Sequence, residues 1–143
     1  MKRETEHRPQ TMSGDHIDVL ATNERFYSAF SECDYMLMES LWSQNDRVAM
    51  IPPGWAPLAG RGAVMAIWRR LLDNGRTPAV ECHDARAYVF DDAAFVTCTE
   101  KFAGGEMSAT NVFVREDGQW KIVHHHSGPR PQETAAPPSD SVH

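Results

Sequence analysis

The strongest constraint on the fold is a change of hydrophobic period in the second half of the chain. From Ala79 onward apolar and polar residues alternate with a period of two, which is typical of β-strands. Three short turn signals interrupt this alternation, at residues 91–92, 104–105 and 116–118. Four strands joined by such short turns predict an antiparallel meander.

The last predicted hairpin ends in three consecutive histidines, His124, His125 and His126. Successive side chains of a strand point to opposite faces, so we expect His124 and His126 on one face and His125 on the other. This expectation assumes two-residue loops at the first two turns and a four-residue loop at the third. Counting cross-strand partners on that basis places further residues on the His124 face: His83, Cys98, Glu100, Asn111, Phe113 and Trp120.

Three helices are predicted before the sheet. The apolar stripe of the first runs from Val19 to Phe30, Asp34 is a suitable N-cap for the second, and Val64 to Leu72 line one face of the third. A short strand that Pro52 ends lies between the second and third helices. Helices followed by a meander predict an α+β fold.

The two ends of the chain differ in composition from the middle. Residues 1–14 are polar and without pattern, and residues 129–143 are rich in Pro, Ser and Ala. We therefore expect a mobile arm at 1–14, one folded domain at 15–128 and a disordered tail at 129–143.

Charge and cysteine content narrow the classes of partner. The formal net charge of -6, without a Lys/Arg cluster, argues against a nucleic-acid or anionic-membrane surface. No stretch approaches the ~20 apolar residues of a membrane helix. The three cysteines have no metal-binding spacing and no signal-like segment precedes them, which favours free thiols in a cytoplasmic protein.

Three titratable residues of the predicted His124 face are candidates for catalysis. An imidazole exchanges protons near neutral pH, so His124 and His126 could act as general acid and base or bind an oxygen of a ligand. The alternative is a pair of hydrogen-bonded core histidines. Glu100 is a candidate general base or, equally, a salt-bridge partner of His83.

Four other residues are candidates for ligand binding: Tyr27, Trp55, His83 and Asn111. Tyr27 could present its hydroxyl to the interior or simply pack there. Trp55 lies on a proline-flanked loop, where it could form a lid over a pocket or a plug over the seam between helices and sheet. Asn111 could orient a ligand or pair with His124.

Two sequence elements resemble a known family. The runs G-W-x-P-L-x-G-R-x-A-V-M-x-x-W and D-G-x-W-K-I-V-H-H-H-S-G are similar to the SnoaL-like branch of the nuclear transport factor 2-like superfamily. They also resemble ketosteroid isomerase-like proteins and the association domain of calcium/calmodulin-dependent protein kinase II. The resemblance spans roughly residues 17–128 and implies a cone-shaped α+β barrel, with N-terminal helices on the concave face of a curved, mainly antiparallel sheet.

The resemblance also bears on chemistry. Relatives of this type usually bind no metal and need no cofactor, so we expect neither here, although His124, His126, His83 and Glu100 would suit a metal. The isomerase-like relatives carry a general-base aspartate just before a proline after the first strand. Here that stretch is Met50-Ile51-Pro52-Pro53, without a carboxylate. Only Glu100 and the histidines are left for acid–base work.

Two functions remain open at this point. The first is binding of a small, largely apolar molecule that carries a carbonyl or carboxyl group, with cofactor-free isomerase, cyclase or hydratase chemistry. The second is a non-catalytic ligand-binding or oligomerisation module. An open cone would favour the first and a cone filled with side chains the second. In either case we expect a homodimer through the other, apolar face of the sheet, which carries Tyr88, Phe95, Val112, Val114 and Val123.

Overall fold

A computed structural model describes residues 13–73, 75 and 78–131. The helices are α1 (Gly14–Ser31), α2 (Tyr35–Leu41) and α3 (Arg61–Asp73). The strands are β1 (Ala49–Ile51), β2 (Leu58–Ala59), β3 (Glu81–Phe90), β4 (Ala93–Phe102), β5 (Gly105–Glu116) and β6 (Gln119–Pro129). The three predicted helices and the four-stranded meander are therefore confirmed.

The strands form one sheet in the order β2-β1-β6-β5-β4-β3. All neighbours are antiparallel except β1 and β6, which run parallel and pair Met50 with His125. Pro52 follows β1 directly and ends it, as the missing backbone donor of proline predicts. The sheet is curved and unclosed and carries the helices on one side, so the α+β prediction is confirmed.

The helices begin where polar side chains cap them. The Ser13 hydroxyl accepts a hydrogen bond from the backbone of His16 at the start of α1, and the Asp34 carboxylate accepts one from Leu37 at the start of α2. Between helices and sheet lies a single apolar core, whose largest fully buried side chains include Phe26, Trp68 and Phe113. We call the helix-covered side of the sheet the inner face and the opposite side the outer face.

A β-bulge interrupts the pairing of β5 with β6. Phe113 pairs with Ile122, whereas the next pair joins Val112 to His124, so Val123 is an extra residue on β6. Beyond an extra residue the alternation of side chains is inverted.

The bulge decides which histidines enter the core. His125 lies on the inner face and is 2% exposed, whereas His124 is half-buried and His126 exposed on the outer face. His124 and His126 share a face, as alternation predicts, but it is the outer face, so their predicted placement with Glu100, Asn111 and Trp120 is wrong. The turn between β5 and β6 does not cause this inversion. Its loop has two residues where four were expected, but Arg115 still pairs with Trp120, as predicted.

A second bulge interrupts the pairing of β3 with β4. His83 pairs with Thr99 and Arg86 with Thr97, so two residues of β3 lie opposite Cys98. One of them, Asp84, has a positive φ of 58°. The bulge turns His83 away from the inner face, and the predicted position of His83 beside Glu100 is wrong for that reason.

The outer face has no helix above it. Across β3 to β6 one row of paired residues is Tyr88, Phe95, Val112 and His124, and none of these is an acid, a lysine or an arginine. The neighbouring row is apolar on β3 to β5 and ends in Lys121 on β6. The apolar residues of the two rows form a surface that we call the outer patch: Tyr88, Phe90, Phe95, Val112 and Val114.

The described residues cover little of the two predicted flexible ends. Gly14 already begins α1 and Pro129 ends β6. The arm before residue 13 and the tail after residue 131 lie outside the described residues, and their mobility stays a prediction. Within the described part of the chain no helix has the length and apolar character to cross a membrane.

Candidate functional site

Six polar side chains meet inside the cone, on α1 and on strands β4 to β6. Each is at most 4% exposed, and together we call them the inner polar cluster: Asn23, Tyr27, Glu100, Asn111, His125 and Ser127. Buried polar groups cost free energy unless they are hydrogen-bonded, so the partners of each group decide what this cluster can do.

Tyr27 and Glu100 form a short hydrogen bond between α1 and the sheet. The Tyr27 hydroxyl donates to Glu100 Oε2 at 2.6 Å, and the Ser127 hydroxyl also hydrogen-bonds to Glu100. Removal from water outweighs these two donors and raises the pKa of the Glu100 carboxyl above its ordinary value. Burial, followed by the negative charge of Glu100, likewise raises the pKa of Tyr27. Both shifts favour the protonated, hydrogen-bond-donating forms.

Asn111 connects the two halves of the cluster. Its amide nitrogen donates to Asn23 Oδ1 at 2.9 Å and to the Tyr27 hydroxyl at 3.2 Å. Its amide oxygen lies 2.6 Å from His125 Nδ1. Since an amide oxygen can only accept, the proton of the neutral His125 ring is on Nδ1.

His125 is held as a neutral base. It packs against Phe26 and Trp68, with ring centroids at 5.0 and 6.1 Å. Burial, and then the neighbouring charges of His124 and His126, lower its pKa to about 3. His125 Nε2 is 3.9 Å from Glu100 Oε2. Because both shifts favour uncharged forms, we describe this contact as a neutral pair and not as an ion pair.

Two thiols border the cluster. Cys98 Sγ is 3.3 Å from the Tyr27 hydroxyl, and Cys82 Sγ accepts a hydrogen bond from Asn23 at 3.6 Å. Cys82 precedes His83, which was predicted on the same face as Cys98, so regular alternation would place Cys82 on the opposite face. The β3 bulge turns Cys82 inward instead, so both meet the same cluster.

Side chains fill the interior of the cone around these groups. Trp68, Phe26 and Phe113 are fully buried beside the cluster. Three surface cavities of about 400, 460 and 490 Å³ lie elsewhere, and none of the three is lined by Tyr27 or Glu100. The smallest opens on the outer face and reaches Cys98 and Ser127 from behind.

The structure brings together three of the seven predicted site residues, Tyr27, Glu100 and Asn111. Outside the cluster, His83 is half-buried and its ring contacts the Glu81 carboxylate at 2.9 Å. Trp55 is 52% exposed on the loop after β1. Whether any of the seven binds a ligand or acts in catalysis stays a prediction.

His124 and His126 lie side by side on the outer face. His124 Nδ1 is 2.9 Å from the carbonyl oxygen of Ala49 on the neighbouring strand β1. The ring centroids of His124 and His126 are 6.4 Å apart.

Sequence reasoning missed Asn23, His125 and Ser127. Asn23 had a usable signal, since it lies four residues after Val19 and three before Phe26 on the buried stripe of α1. A polar residue at such a position indicates a buried hydrogen bond. His125 and Ser127 were missed because the spacing of apolar and polar residues in β6 does not reveal the bulge that turns them inward.

No metal centre is evident in the part of the chain described. Among these residues no three of His, Cys, Asp and Glu are grouped closely enough to hold an ion. The chemistry available to the inner polar cluster is thus hydrogen bonding and proton transfer through Glu100, Tyr27 and His125.

Comparison with known proteins gives both a family and relatives. A dehydratase candidate of the NTF2-like family from Streptomyces avermitilis superposes with a TM-score of 0.76, at 29% identity, covering 85% of this chain and 100% of that one. A candidate calcium/calmodulin-dependent protein kinase type II association domain from Thiobacillus denitrificans gives a TM-score of 0.71 at 30% identity, covering 78% and 94% of the two chains.

A plant protein shares the domain as part of a longer chain. The F-box protein SKIP8 of Arabidopsis thaliana is 27% identical over 111 residues, which are 76% of this chain and 48% of the plant protein. The chain thus spans about half the length of this curated relative. The SnoaL-like domain family matches residues 19–130, from α1 to the end of β6. The predicted resemblance is confirmed, and the chain belongs to the SnoaL-like domain family.

Proposed function

We propose that this domain is a self-association module that forms a homodimer through the outer patch, with the filled cone as its rigid core. The observation that carries this proposal is the exposed aromatic surface of the outer patch, whose own residues are uncharged, although Arg86 and Lys121 lie in the rows on either side. Phe90 is 64% exposed and Tyr88 is 42% exposed, so neither aromatic side chain is buried within its own chain.

The aromatic rings of the outer patch are already stacked on one another. Tyr88 and Phe95 stack with ring centroids 4.7 Å apart and planes at 18°, and Phe90 stacks on Phe95 at 6.3 Å. Pre-stacked aromatic rings lose little conformational entropy on binding, and depletion of charges marks the centre of protein interfaces. A second copy of the same patch is the simplest cover, because a two-fold axis pairs a patch with itself.

The interior supports an assembly role better than a binding role. Most groups of the inner polar cluster are satisfied within it, with Tyr27 donating to Glu100 and His125 donating to Asn111, whereas His125 Nε2 is 3.9 Å from Glu100 Oε2, beyond hydrogen-bond distance. Such a network fixes the packing of a core. The relative named for an association domain is 30% identical to this chain, which favours the same kind of role here.

The test is the oligomeric state of two matched variants. Phe95→Asp places a charge at the centre of the outer patch, whereas Met36→Glu places one on an apolar side chain of α2 that is 75% exposed. In sedimentation velocity, wild type and Met36→Glu should sediment at twice the 16.1 kDa chain mass. Phe95→Asp should weaken the dimer by about a hundredfold, the scale of a hot-spot loss of roughly 2–4 kcal/mol. A monomeric wild type at micromolar concentration, or an unaffected Phe95→Asp dimer, would refute the proposal.

A second candidate is favoured by one observation, the buried Glu100 carboxyl with its raised pKa. A protonated Glu100 is a donor suited to the carbonyl or carboxyl oxygen of a small apolar molecule, and the Tyr27 hydroxyl, which here donates to Glu100, would become a second donor on turning toward that oxygen. Glu100 could then exchange a proton with the bound molecule, as isomerase, cyclase or hydratase chemistry requires. His124 and His126 have no part in this version, because they lie on the outer face.

Native mass spectrometry of the purified chain tests this candidate. A retained adduct of a few hundred daltons, present in wild type and lost in Tyr27→Phe, would support binding in the cone. If both proteins carried no adduct and both dimerised fully, this candidate would be refuted and only the assembly role would be supported.

A further inference from the structure

The β6 bulge places two histidines next to each other on the outer face, at the edge where β6 pairs with β1. His124 and His126 are alternate residues of one strand, and neither belongs to the inner polar cluster. We propose that these two imidazoles form a bidentate binding site for a late first-row divalent cation such as Cu²⁺, Ni²⁺ or Zn²⁺. His124 borders the outer patch as the cross-strand partner of Val112, but the metal site uses no contact of the proposed dimer.

The hydrogen bond of His124 prepares its ring for a metal. The Ala49 carbonyl oxygen can only accept, so the proton of the neutral ring is on Nδ1 and the Nε2 lone pair is free. A histidine that ligates a metal typically donates its other ring nitrogen to a carbonyl or carboxylate, which fixes the tautomer and the ring orientation. His124 has this arrangement without a metal.

The spacing of the rings suits a shared ion. A nitrogen–metal bond of ~2.0–2.1 Å places an ion roughly 3 Å from the centroid of each ring that binds it. The observed centroid separation of His124 and His126 is 6.4 Å, which is at the upper limit for two rings that share an ion, so one ring has to move slightly toward the other. His126 is exposed, and its ring can turn to bring the nitrogen–metal–nitrogen angle to the value that the ion prefers.

The surroundings leave room for the remaining ligands. His126 lines the outer-face cavity of about 400 Å³, together with Thr97, Ser108 and Thr110. The residues lining this cavity include no lysine or arginine that would repel a cation. Water molecules held by the hydroxyl groups can complete the coordination sphere. Imidazole ligands favour copper, nickel and zinc, with Cu²⁺ bound most tightly of the three.

Isothermal titration calorimetry with NiCl₂ and CuCl₂ tests the proposal on the untagged full chain. The reference protein carries His7→Ala and His143→Ala, so that these two histidines do not contribute. We expect one ion per chain, with Cu²⁺ bound more tightly than Ni²⁺. His124→Ala and His126→Ala should each weaken Ni²⁺ binding at least tenfold, and the matched control His83→Ala should leave it unchanged.

Two results would overturn the site. One is Ni²⁺ affinity that survives both His124→Ala and His126→Ala, and the other is an equal loss in His83→Ala. Thermal unfolding of each variant without metal verifies that the fold persists, which we expect because His126 is exposed. Phe95→Asp, with its dimer weakened, should bind Ni²⁺ at least as well as the reference protein, because the site borders the outer patch but does not need a partner. Failure of the metal site and failure of the dimer are therefore separate outcomes.

Discussion

Burial of His125 as a neutral base predicts how the stability of the fold responds to acid. Its pKa is about 3 in the folded protein, against an ordinary value of 6.5. Since the folded pKa is the lower one, the unfolded chain takes up the proton first as the pH falls. The stabilisation is complete above pH 6.5 and is lost progressively between pH 6.5 and about 3.

The size of the effect follows from the interval of pH. Each unit below the unfolded pKa costs about 1.4 kcal/mol of unfolding free energy, so acidification to pH 5 costs about 2 kcal/mol through His125 alone. A domain of this size is stable by only ~5–15 kcal/mol, so the loss is readily measured. Glu100 acts in the opposite direction, because its pKa is raised on folding.

A difference measurement separates His125 from the other groups. His125→Asn has no titrating group, and its amide nitrogen can still donate toward Asn111. In urea unfolding followed by tryptophan fluorescence, the stability of wild type minus that of His125→Asn should fall by about 2 kcal/mol between pH 7 and pH 5. For the exposed control His126→Asn this difference should not fall. A constant difference for His125→Asn would refute the reasoning, since it would mean that the buried imidazole takes up a proton in the fold.

Three further predictions concern the interior and its bulges. Glu100→Gln mimics the protonated acid, so its stability relative to wild type should rise with pH above about 4.5, as urea unfolding at several pH values would show. Tyr27→Phe removes the donor to Glu100 and should cost about 1–3 kcal/mol in the same assay; no loss would mean that the Tyr27 hydroxyl does not stabilise the buried carboxyl. Asp84→Val should cost about 1–2 kcal/mol in thermal or urea unfolding, because a β-branched residue tolerates the positive φ of this bulge poorly, whereas Asp84→Gly should be close to neutral. Equal stability of the two Asp84 variants would contradict this account of the bulge.

The helices and strands could be predicted because the buried residues of each recur at a regular spacing in the sequence. Apolar spacing located α1 to α3 and the four long strands, and turn residues located their ends. The inner face was predicted correctly for Phe113 and Trp120, which precede the bulge of β6 when counted from the turn. The alternation of inward and outward side chains can be counted along a strand only up to the first bulge.

The site could be predicted only in part because a bulge changes the phase of a strand without changing its composition. Next to the β6 bulge two apolar residues, Ile122 and Val123, stand together, and either could have been the inward one. In β3 a signal did exist: Asp84 is a residue type that strands disfavour and that tolerates a positive φ. Such a residue inside a predicted strand indicates a bulge.

Because three histidines follow one another in β6, a change in the bulge would still leave an imidazole inside the cone. If β6 lost its extra residue at Val123, or gained a second one, the pairing with β5 beyond that point would shift by one residue, yet an imidazole of His124 or His126 would still lie opposite Asn111. The interior would keep its neutral base, and the outer face would keep at least one histidine. Repetition of one side chain thus protects the contents of the cone against slippage of the strand, and a substitution of His125 alone would remove that protection.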